Sequence, residues 1–302
     1  MQFLEYNEES SMSGSKFVWE CGKITHDAKT TAGWLESVTA LQTIDKHKAL
    51  QMSGKKILEA IFNKRAKVVV KIANHTEDIE KEWTTYQGLL AAQIPGILKY
   101  LCFFTCNDAI TNYLTNRAHM CDGPGESMRV LVMEYVPGSS FKNFKWGKYD
   151  VIVIRSCAKQ VILTMLYAYE QCGFIHGDLH LDNVLLQKTT KSELTFGQHT
   201  VSVYGYKTLL MDLELSKVNT GASVTELFKD VKVFINKMLN LADFIDVAPI
   251  VAANTKLRDW IDSKEANSNK LLELIPLLDQ IKSTGFKGGL SLKRVRNAKP
   301  RI

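Results

Sequence analysis

The sequence predicts an α+β chain in two parts, with a sheet-rich first half and a helix-rich second half. Short runs of β-branched and aromatic residues alternate with polar breaks as far as Pro137-Gly138, and longer apolar stretches with helical spacing follow. The chain has 302 residues, 45% of them hydrophobic, enough for one large domain or two lobes that share a cleft. We expect an N-terminal extension over residues 1–40, a first lobe over 41–137 and a second lobe over 138–302.

The elements of the first half follow from local patterns. The runs Lys56–Phe62 and Lys67–Ile72 flank a short polar break, which predicts a hairpin. In the stretch Glu77–Ala92, inward-facing positions recur every three or four residues, which predicts a helix. Two further apolar runs, Ile97–Phe104 and Arg129–Val136, predict strands on either side of a polar loop.

Helices dominate the second half. The apolar run Val151–Cys172 predicts one long helix, and Gly173 stands just past its end, where a terminating glycine is common. The runs Val184–Leu186 and Leu209–Met211 predict short strands around a polar excursion. Two more helices are predicted, over residues 224–247 and 268–283.

Composition, charge and cysteine usage indicate the setting of the protein. The net charge of +6 is mild and permits an anionic partner without requiring one. The most apolar window, Val151–Tyr169, is interrupted by Arg155 and Lys159, and the acidic N-terminus has no apolar signal region, so we expect no membrane contact and no secretion. Because the six cysteines show no paired disulfide spacing, we expect an intracellular protein, cytoplasmic or nuclear.

Three short segments carry the residue types that phosphoryl transfer uses. The chain contains H-x-D-x-x-x-x-N at His176, Asp178 and Asn183, Asp212 follows a later apolar strand, and Lys71 ends a run of three valines. The reaction needs a lysine that neutralises phosphate charge, a helix glutamate that holds the lysine, an aspartate that accepts the hydroxyl proton, and an asparagine and a second aspartate that hold Mg²⁺. The order and context of these segments favour a phosphotransferase.

With these motifs the chain resembles the eukaryotic-protein-kinase-like superfamily over roughly residues 45–240. The resemblance implies a bilobal α+β kinase fold, with ATP and Mg²⁺ bound in a cleft between a sheet-rich N-lobe and a helical C-lobe. It implies that Lys71 binds the phosphates, with Glu82 as its ion-pair partner and Glu80 as the alternative. It also implies that Asp178 is the catalytic base.

The same resemblance assigns the other contacts to nucleotide and metal. It implies that Asn183, a further catalytic residue, and Asp212 are the Mg²⁺ ligands. It makes the segment 133–136 the hinge that binds adenine through its backbone, with Met133 as gatekeeper. The hinge residues are Met133, Glu134, Tyr135 and Val136. Of the family's glycine-rich loop over the phosphates, the sequence offers only Gly54.

Departures from the usual protein-kinase pattern point to a subfamily. Gly177 stands where an arginine normally reads a phosphate on the activation loop, Asp-Leu-Glu replaces Asp-Phe-Gly at Asp212, and no Ala-Pro-Glu follows. The chain is most similar to the haspin-type protein kinases, which share D-L-H-x-x-N (residues 178–183 here), an inserted excursion after the asparagine, a sequence other than Phe-Gly after the metal aspartate, and no Ala-Pro-Glu. That similarity implies a serine or threonine hydroxyl of a protein as acceptor, with histone or another chromatin or basic protein as the candidate. It also implies a short activation segment that needs no phosphorylation, and a bracing role for Asp230.

Two other functions stay open. His-Gly-Asp-Leu-His followed by Met-Asp-Leu-Glu also resembles the aminoglycoside and choline kinases, in which the acceptor is a small-molecule hydroxyl and Glu214 would be a further metal or structural acid. The reduced glycine loop fits a pseudokinase that acts as a scaffold.

The C-terminal tail, from about residue 282, is basic. After Asp279 it carries seven basic residues and no acid. It fits either a solvated end or an electrostatic contact with nucleic acid or an acidic partner.

Overall fold

The computed structural model describes two compact units of this chain. The first consists of the chain as far as Gly138 together with Ala168–Asp178 and Leu209–Ala222, and the second of Ser139–Tyr167, Leu179–Thr208 and the residues from Ser223 on. The described residues are 4–5, 18–19, 42–43, 50–52, 55–62, 66–74, 77–106, 128–146, 151–219, 221–241, 259–260, 262 and 267–279. Gly54 and the basic tail lie outside them.

In chain order the described strands are β1 (Leu4–Glu5), β2 (Val18–Trp19), β3 (Gln42–Thr43), β4 (Leu50–Met52), β5 (Lys55–Phe62), β6 (Ala66–Asn74), β7 (Tyr100–Cys106), β8 (Met128–Glu134), β9 (Gly138–Ser140), β10 (Phe174–Ile175), β11 (Val184–Lys188), β12 (Glu193–Phe196), β13 (His199–Ser202), β14 (Tyr206–Leu210) and β15 (Lys217–Val218). The described helices are α1 (Glu77–Ala91), α2 (Val151–Cys172), α3 (Val224–Leu241) and α4 (Ser268–Asp279), with a 3₁₀ turn at Leu181–Asn183.

The main sheet of the first unit is antiparallel, with six strands among the described residues. Its order is β3-β5-β6-β8-β7, with β4 also paired to β5. On the central strand β6, Lys71 stands opposite Ile57 of β5 and Leu131 of β8. Val68 and Val70 of the same strand are buried. Because β6 is paired on both sides, the position of Lys71 is fixed by two neighbouring strands.

Helix α1 contacts β7, β8 and β15. Its inward face carries Ile79, Glu82, Tyr86 and Leu89, whose three- and four-residue spacing predicted the helix, and all four are buried. The helix is confirmed, with its end at Ala91. One position of this apolar face is a glutamate, so the helix brings a carboxylate into the core.

Strand β7 begins at Tyr100, later than the predicted start at Ile97. Ile97 instead forms a parallel bridge with Leu210, and the Leu98 N–H donates to the Leu210 carbonyl at 2.8 Å. These bonds attach the segment before β7 to the end of β14, two residues before Asp212. The unexpected pairing therefore brings Asp212 to the beginning of β7.

Helix α2 has the predicted bounds, Val151–Cys172. By length and composition it is apolar enough to cross a membrane, and 67% of its most apolar window is buried. A buried core helix passes the same test of length and composition. In the second unit the polar excursion contains the β12–β13 hairpin, in which Phe196 pairs with His199. Phe196 and Leu163 of α2 belong to one hydrophobic cluster, which anchors the hairpin.

The last two predicted helices are present. Helix α3 buries Leu227, Val231 and Phe234, and its described residues end at Leu241. Helix α4 ends at Asp279 among the described residues.

Candidate active site

Lys71 is a buried lysine at the centre of a cluster of acidic side chains. The residue is 5% exposed. Its Nζ lies 2.7 Å from Glu82 Oε2, 2.8 Å from Asp212 Oδ1 and 3.3 Å from Glu214 Oε2. The structure thus brings together three residues that the sequence assigns to one site, and it adds Glu214.

Helix geometry decides between the two glutamates proposed as partners of Lys71. Glu82 is fully buried on the face that carries Ile79 and Tyr86. Glu80 lies on the exposed side, where its Oε2 is 3.5 Å from Nη2 of Arg129. Since residues three or four apart share a helix face, position 82 lies with 79 and 86, whereas position 80 points elsewhere. Glu82 is therefore the partner of Lys71, and Glu80 is not.

The second oxygen of Glu82 is also bonded. Oε1 accepts the Tyr100 hydroxyl at 2.5 Å and the Leu213 N–H at 3.2 Å. The Leu213 N–H also lies 3.4 Å from the Tyr100 hydroxyl oxygen. Both carboxylate oxygens have donors, which is what a buried carboxylate requires to stay ionised.

The segment Asp212–Glu214 turns both of its carboxylates to Lys71. Asp212 has a φ of +60°, in the left-handed region, which aspartate tolerates better than most residues other than glycine. Leu213, which stands between the two acids in the sequence, has a buried side chain. The side chain of Asp212 is 42% exposed and that of Glu214 is 20% exposed. Asp212 is therefore the acid of this cluster most accessible to a ligand.

The charge states follow from burial and neighbours. Burial alone would lower the pKa of Lys71, but the carboxylates of Glu82 and Asp212 outweigh it, and the pKa is raised. Burial raises the pKa of Glu82, against the opposing effect of Lys71 and Tyr100. Burial and the adjacent Glu82 raise the pKa of Tyr100. At neutral pH, Lys71 is therefore a cation and the Tyr100 hydroxyl is a donor.

The donor set suits a divalent cation. One oxygen from each of Glu82, Asp212 and Glu214 lies within 4.8 Å of the others. Lys71 supplies one positive charge against these three carboxylates. Carboxylate oxygens are the ligands that Mg²⁺ prefers, and an excess of negative charge favours its binding. Both oxygens of Glu82 already have donors, so the partly exposed Asp212 and Glu214 are the acids of this set that fit the metal implied by the kinase resemblance.

His176 joins the segment that carries Asp178 to the segment that carries Asp212. Its Nε2 lies 3.1 Å from the Met211 carbonyl oxygen, and the Ser216 hydroxyl donates to the His176 carbonyl at 2.8 Å. Burial lowers the pKa of His176 to about 4, although Asp212 and Asp178 both favour its charged form. The ring is neutral at neutral pH, so His176 acts as a brace in this part of the first unit.

Gly177 has a steric reason to be glycine. Its φ is +78°, in the left-handed region, and a Cβ placed there would collide with the Leu215 carbonyl oxygen. No arginine fits at this position without a change of the backbone. The residue that departs most visibly from the protein-kinase pattern is therefore required by the way the 176–178 segment packs.

Asn183 lies in the second unit. It closes the 3₁₀ turn Leu181–Asn183 and is 4% exposed. The turn begins at His180, whose Nδ1 accepts the Asp182 N–H at 3.2 Å. Helix α3 contacts this turn, and its Asp230 is buried. The roles of Asn183 as Mg²⁺ ligand and of Asp230 as brace stay predictions.

The predicted hinge follows the end of β8. The Glu134 N–H donates to the Lys99 carbonyl at 2.9 Å, and Glu134 Oε1 accepts the Lys99 N–H at 3.0 Å. These two hydrogen bonds fix the end of the strand that leads into residues 135–136. Adenine binding by residues 133–136 stays a prediction, as does a role for Gly54, which lies outside the described residues.

Fold and site together define a protein-kinase-like α+β chain with the site of a kinase-like phosphotransferase. The defining features are the buried ion pair of Lys71 and Glu82, the strand-end Asp212 beside it, and the H-x-D-x-x-x-x-N segment. In agreement, a family described as the ABC1 atypical kinase-like domain matches residues 126–216. The matched segment includes Asp178 and Asn183 but not Lys71. The match supports the protein-kinase-like superfamily and does not extend to haspin-type kinases.

The chain was also compared with curated proteins and with solved structures. No curated protein matches the chain. Among the similar solved structures is one described as WaaP in complex with acyl carrier protein, which is 15% identical. The alignment covers 78% of this chain and 92% of that chain, with a TM-score of 0.44. A likeness at this level carries no argument about function.

Sequence reasoning missed Tyr100 and gave Glu214 a role under one of its interpretations only. Tyr100 lies in an apolar run in which a tyrosine looks like an ordinary strand residue, and its hydroxyl was the only signal. Glu214 was considered only under the small-molecule kinase interpretation. Its spacing of two from Asp212 was the available signal, because alternate residues of an extended segment point to the same side.

Proposed function

We propose that this chain is an ATP- and Mg²⁺-dependent serine/threonine protein kinase of the haspin-like kind. The observation that carries the phosphotransferase part of this proposal is Lys71, held at 2.7 Å by Glu82 and at 2.8 Å by Asp212. A buried lysine fixed by a helix glutamate beside a strand-end aspartate is the arrangement that binds and neutralises nucleotide phosphates.

In the proposed reaction Asp178 accepts the proton of the acceptor hydroxyl. The hydroxyl oxygen forms a bond to the γ-phosphorus, the bond from that phosphorus to the β–γ bridging oxygen breaks, and ADP leaves. Lys71 neutralises charge on the phosphates, with Glu82 keeping its ammonium group in place. Asp212 and, by the kinase resemblance, Asn183 would hold Mg²⁺, which supplies further charge neutralisation when bound.

Three features support a protein acceptor and constitutive activity. The segment between Asp212 and the start of α3 at Val224 is short, and the β12–β13 hairpin lies where haspin-type kinases carry an inserted hairpin. Gly177 leaves no arginine to read a phosphate on an activation loop. We expect phosphatase-treated and untreated protein to transfer phosphate at the same rate, and a large loss of rate after treatment would contradict constitutive activity.

A small-molecule acceptor is the second candidate. Glu214 favours it, because its Oε2 lies 3.3 Å from Lys71 Nζ and completes the Asp-x-Glu pattern on which the aminoglycoside and choline kinase resemblance rests. Under this alternative the same groups activate ATP, and only the acceptor hydroxyl differs.

Labelled γ-phosphate from Mg·ATP tests the proposal directly. Histone, casein and a set of amino alcohols and sugars are offered side by side to wild type, Asp178→Asn and Asp182→Asn. Asp182 is the matched control, since it lies four residues away with a side chain that is 39% exposed. Label on protein that disappears in Asp178→Asn alone supports a protein kinase. Label only on small molecules supports the second candidate, and no label on any acceptor supports a pseudokinase.

The proposed setting is intracellular, cytoplasmic or nuclear, with a basic or chromatin protein as substrate. The basic tail would add an electrostatic contact with nucleic acid or an acidic partner. Removal of residues 282–302 is expected to leave transfer to a short peptide unchanged and to weaken association with an acidic partner.

A further inference from the structure

The Tyr100 hydroxyl is a buried polar group with a specific partner. Tyr100 is 1% exposed, and its ring stacks on Tyr86 with centroids 4.8 Å apart. A phenylalanine would fill the same space, so packing does not explain the hydroxyl. Burying an unbonded hydroxyl is unfavourable, and here it is bonded to Glu82 Oε1 at 2.5 Å.

The contact closes a three-way junction between separate parts of the first unit. Glu82 comes from α1, Tyr100 from the start of β7, and Leu213 from the segment after β14. The Leu213 N–H donates to Glu82 Oε1 at 3.2 Å and lies 3.4 Å from the Tyr100 hydroxyl oxygen. The junction therefore connects the helix that holds Lys71 to the segment that carries Asp212.

We propose that Tyr100 is a positioning residue for phosphoryl transfer: its hydroxyl fixes the carboxylate of Glu82, and through it the ammonium group of Lys71 and the Asp212–Glu214 segment. This inference rests on the proposed function. With Oε1 held by Tyr100 and Leu213, only Oε2 faces Lys71, so the ion pair is formed before nucleotide arrives. Such a junction gives a kinase without activation-loop control a built-in means of keeping the pair in place.

Removal of the hydroxyl changes the environment of Glu82 in a predictable direction. Loss of the Tyr100 donor leaves Glu82 Oε1 with the longer contact to the Leu213 N–H at 3.2 Å. The carboxylate is then held less firmly beside Lys71, and the ammonium group is positioned less well for phosphate.

The test compares Tyr100→Phe with Tyr86→Phe in the phosphate-transfer assay. Both changes remove one hydroxyl from the same pair of buried rings, and only the first removes a donor to Glu82. We expect kcat/KM for ATP to fall about tenfold in Tyr100→Phe, which corresponds to about 1.4 kcal/mol, and to stay within about twofold of wild type in Tyr86→Phe. In Tyr100→Phe the fall should lie in kcat rather than in KM for ATP, because the hydroxyl positions Lys71 for the transfer step and does not itself touch the nucleotide.

A double-mutant cycle separates positioning from general packing. In a Glu82→Gln background, Tyr100→Phe should lower the rate by less than about twofold, because the carboxylate that it positions is already gone. Equal effects of Tyr100→Phe in both backgrounds, or equal effects of Tyr100→Phe and Tyr86→Phe, would overturn the inference while leaving the proposed function intact. A wild-type protein that transfers no phosphate to any acceptor would overturn the proposed function, and the inference with it.

Discussion

Two parts of the first unit hold charged groups in place by different means. The Lys71 cluster is held by side chains, since Glu82 and Asp212 each bond to Lys71 and the Tyr100 hydroxyl bonds to Glu82. The segment that carries Asp178 is held through the main chain, by the carbonyl of His176 and the left-handed Gly177. Residue types and spacing predict the pair of Lys71 and Glu82 within the side-chain cluster, whereas the main-chain constraints at Gly177 emerge only from the fold.

The largest expected effect is on the side-chain cluster. Lys71→Met removes the cation that neutralises phosphate charge, and we expect the transfer rate to fall by roughly 10²–10³-fold, the usual effect of losing one preorganised electrostatic contact. The matched control is Lys81→Met, because Lys81 is an exposed lysine on α1. Similar rates in the two variants would show that Lys71 does not act on nucleotide.

The second prediction concerns the main-chain-held segment and pH. The pKa of His176 is lowered by burial from 6.5 to about 4, so the folded state favours the neutral ring. The neutral ring of His176 contributes its full stabilisation of the folded state above pH 6.5. This contribution decreases as the pH falls from 6.5 towards 4, because the unfolded chain binds a proton at His176 that the folded chain does not bind. We expect a loss of about 2 kcal/mol between pH 6.5 and 5, at about 1.4 kcal/mol per pH unit.

Urea unfolding of wild type and His176→Gln at pH 7, 6 and 5 measures this effect. The free energy of unfolding of wild type should decrease more steeply with falling pH than that of the variant. Equal slopes would mean that His176 is protonated in the folded state, against the brace described above.

The third prediction isolates the steric constraint at Gly177. We expect Gly177→Ala to destabilise the fold by about 2 kcal/mol or more, because a left-handed φ and a collision with the Leu215 carbonyl act together. Gly205→Ala is the control, since Gly205 has a φ of +81° and nothing within 4 Å of an added Cβ. That change should cost about 1 kcal/mol from the backbone alone. Equal losses in urea unfolding would remove the packing explanation for Gly177.

The two regions also differ in how far the sequence predicts them. Periodicity in α1 predicted the face that carries Glu82, and the run of valines before Lys71 predicted its strand, so the ion pair could be foreseen. The bond from the Leu213 N–H to Glu82 could not, because the pairing of residues 97–98 with Leu210 brings the segment after β14 to the start of β7. Pairing between segments over 100 residues apart leaves no local signature in the sequence.

Gly177 also shows a limit of prediction from the sequence. From the sequence it was a departure from the family pattern, interpreted as loss of phosphorylation control. In the structure the backbone conformation and the nearby Leu215 carbonyl account for it without reference to control. The two explanations are compatible, and the stability comparison with Gly205 measures the steric one alone.

The most direct test of the central claim is Mg²⁺-dependent transfer of γ-phosphate by wild type and Asp212→Asn. Glu80→Gln is the control, since Glu80 is an exposed acid that contacts Arg129 rather than Lys71. Asp212→Asn keeps the shape of the side chain and removes the charge that would hold the metal beside Lys71. The account predicts that transfer falls by roughly 10²-fold or more in Asp212→Asn and is unchanged in Glu80→Gln. Wild-type rates in Asp212→Asn at every Mg²⁺ concentration would contradict it.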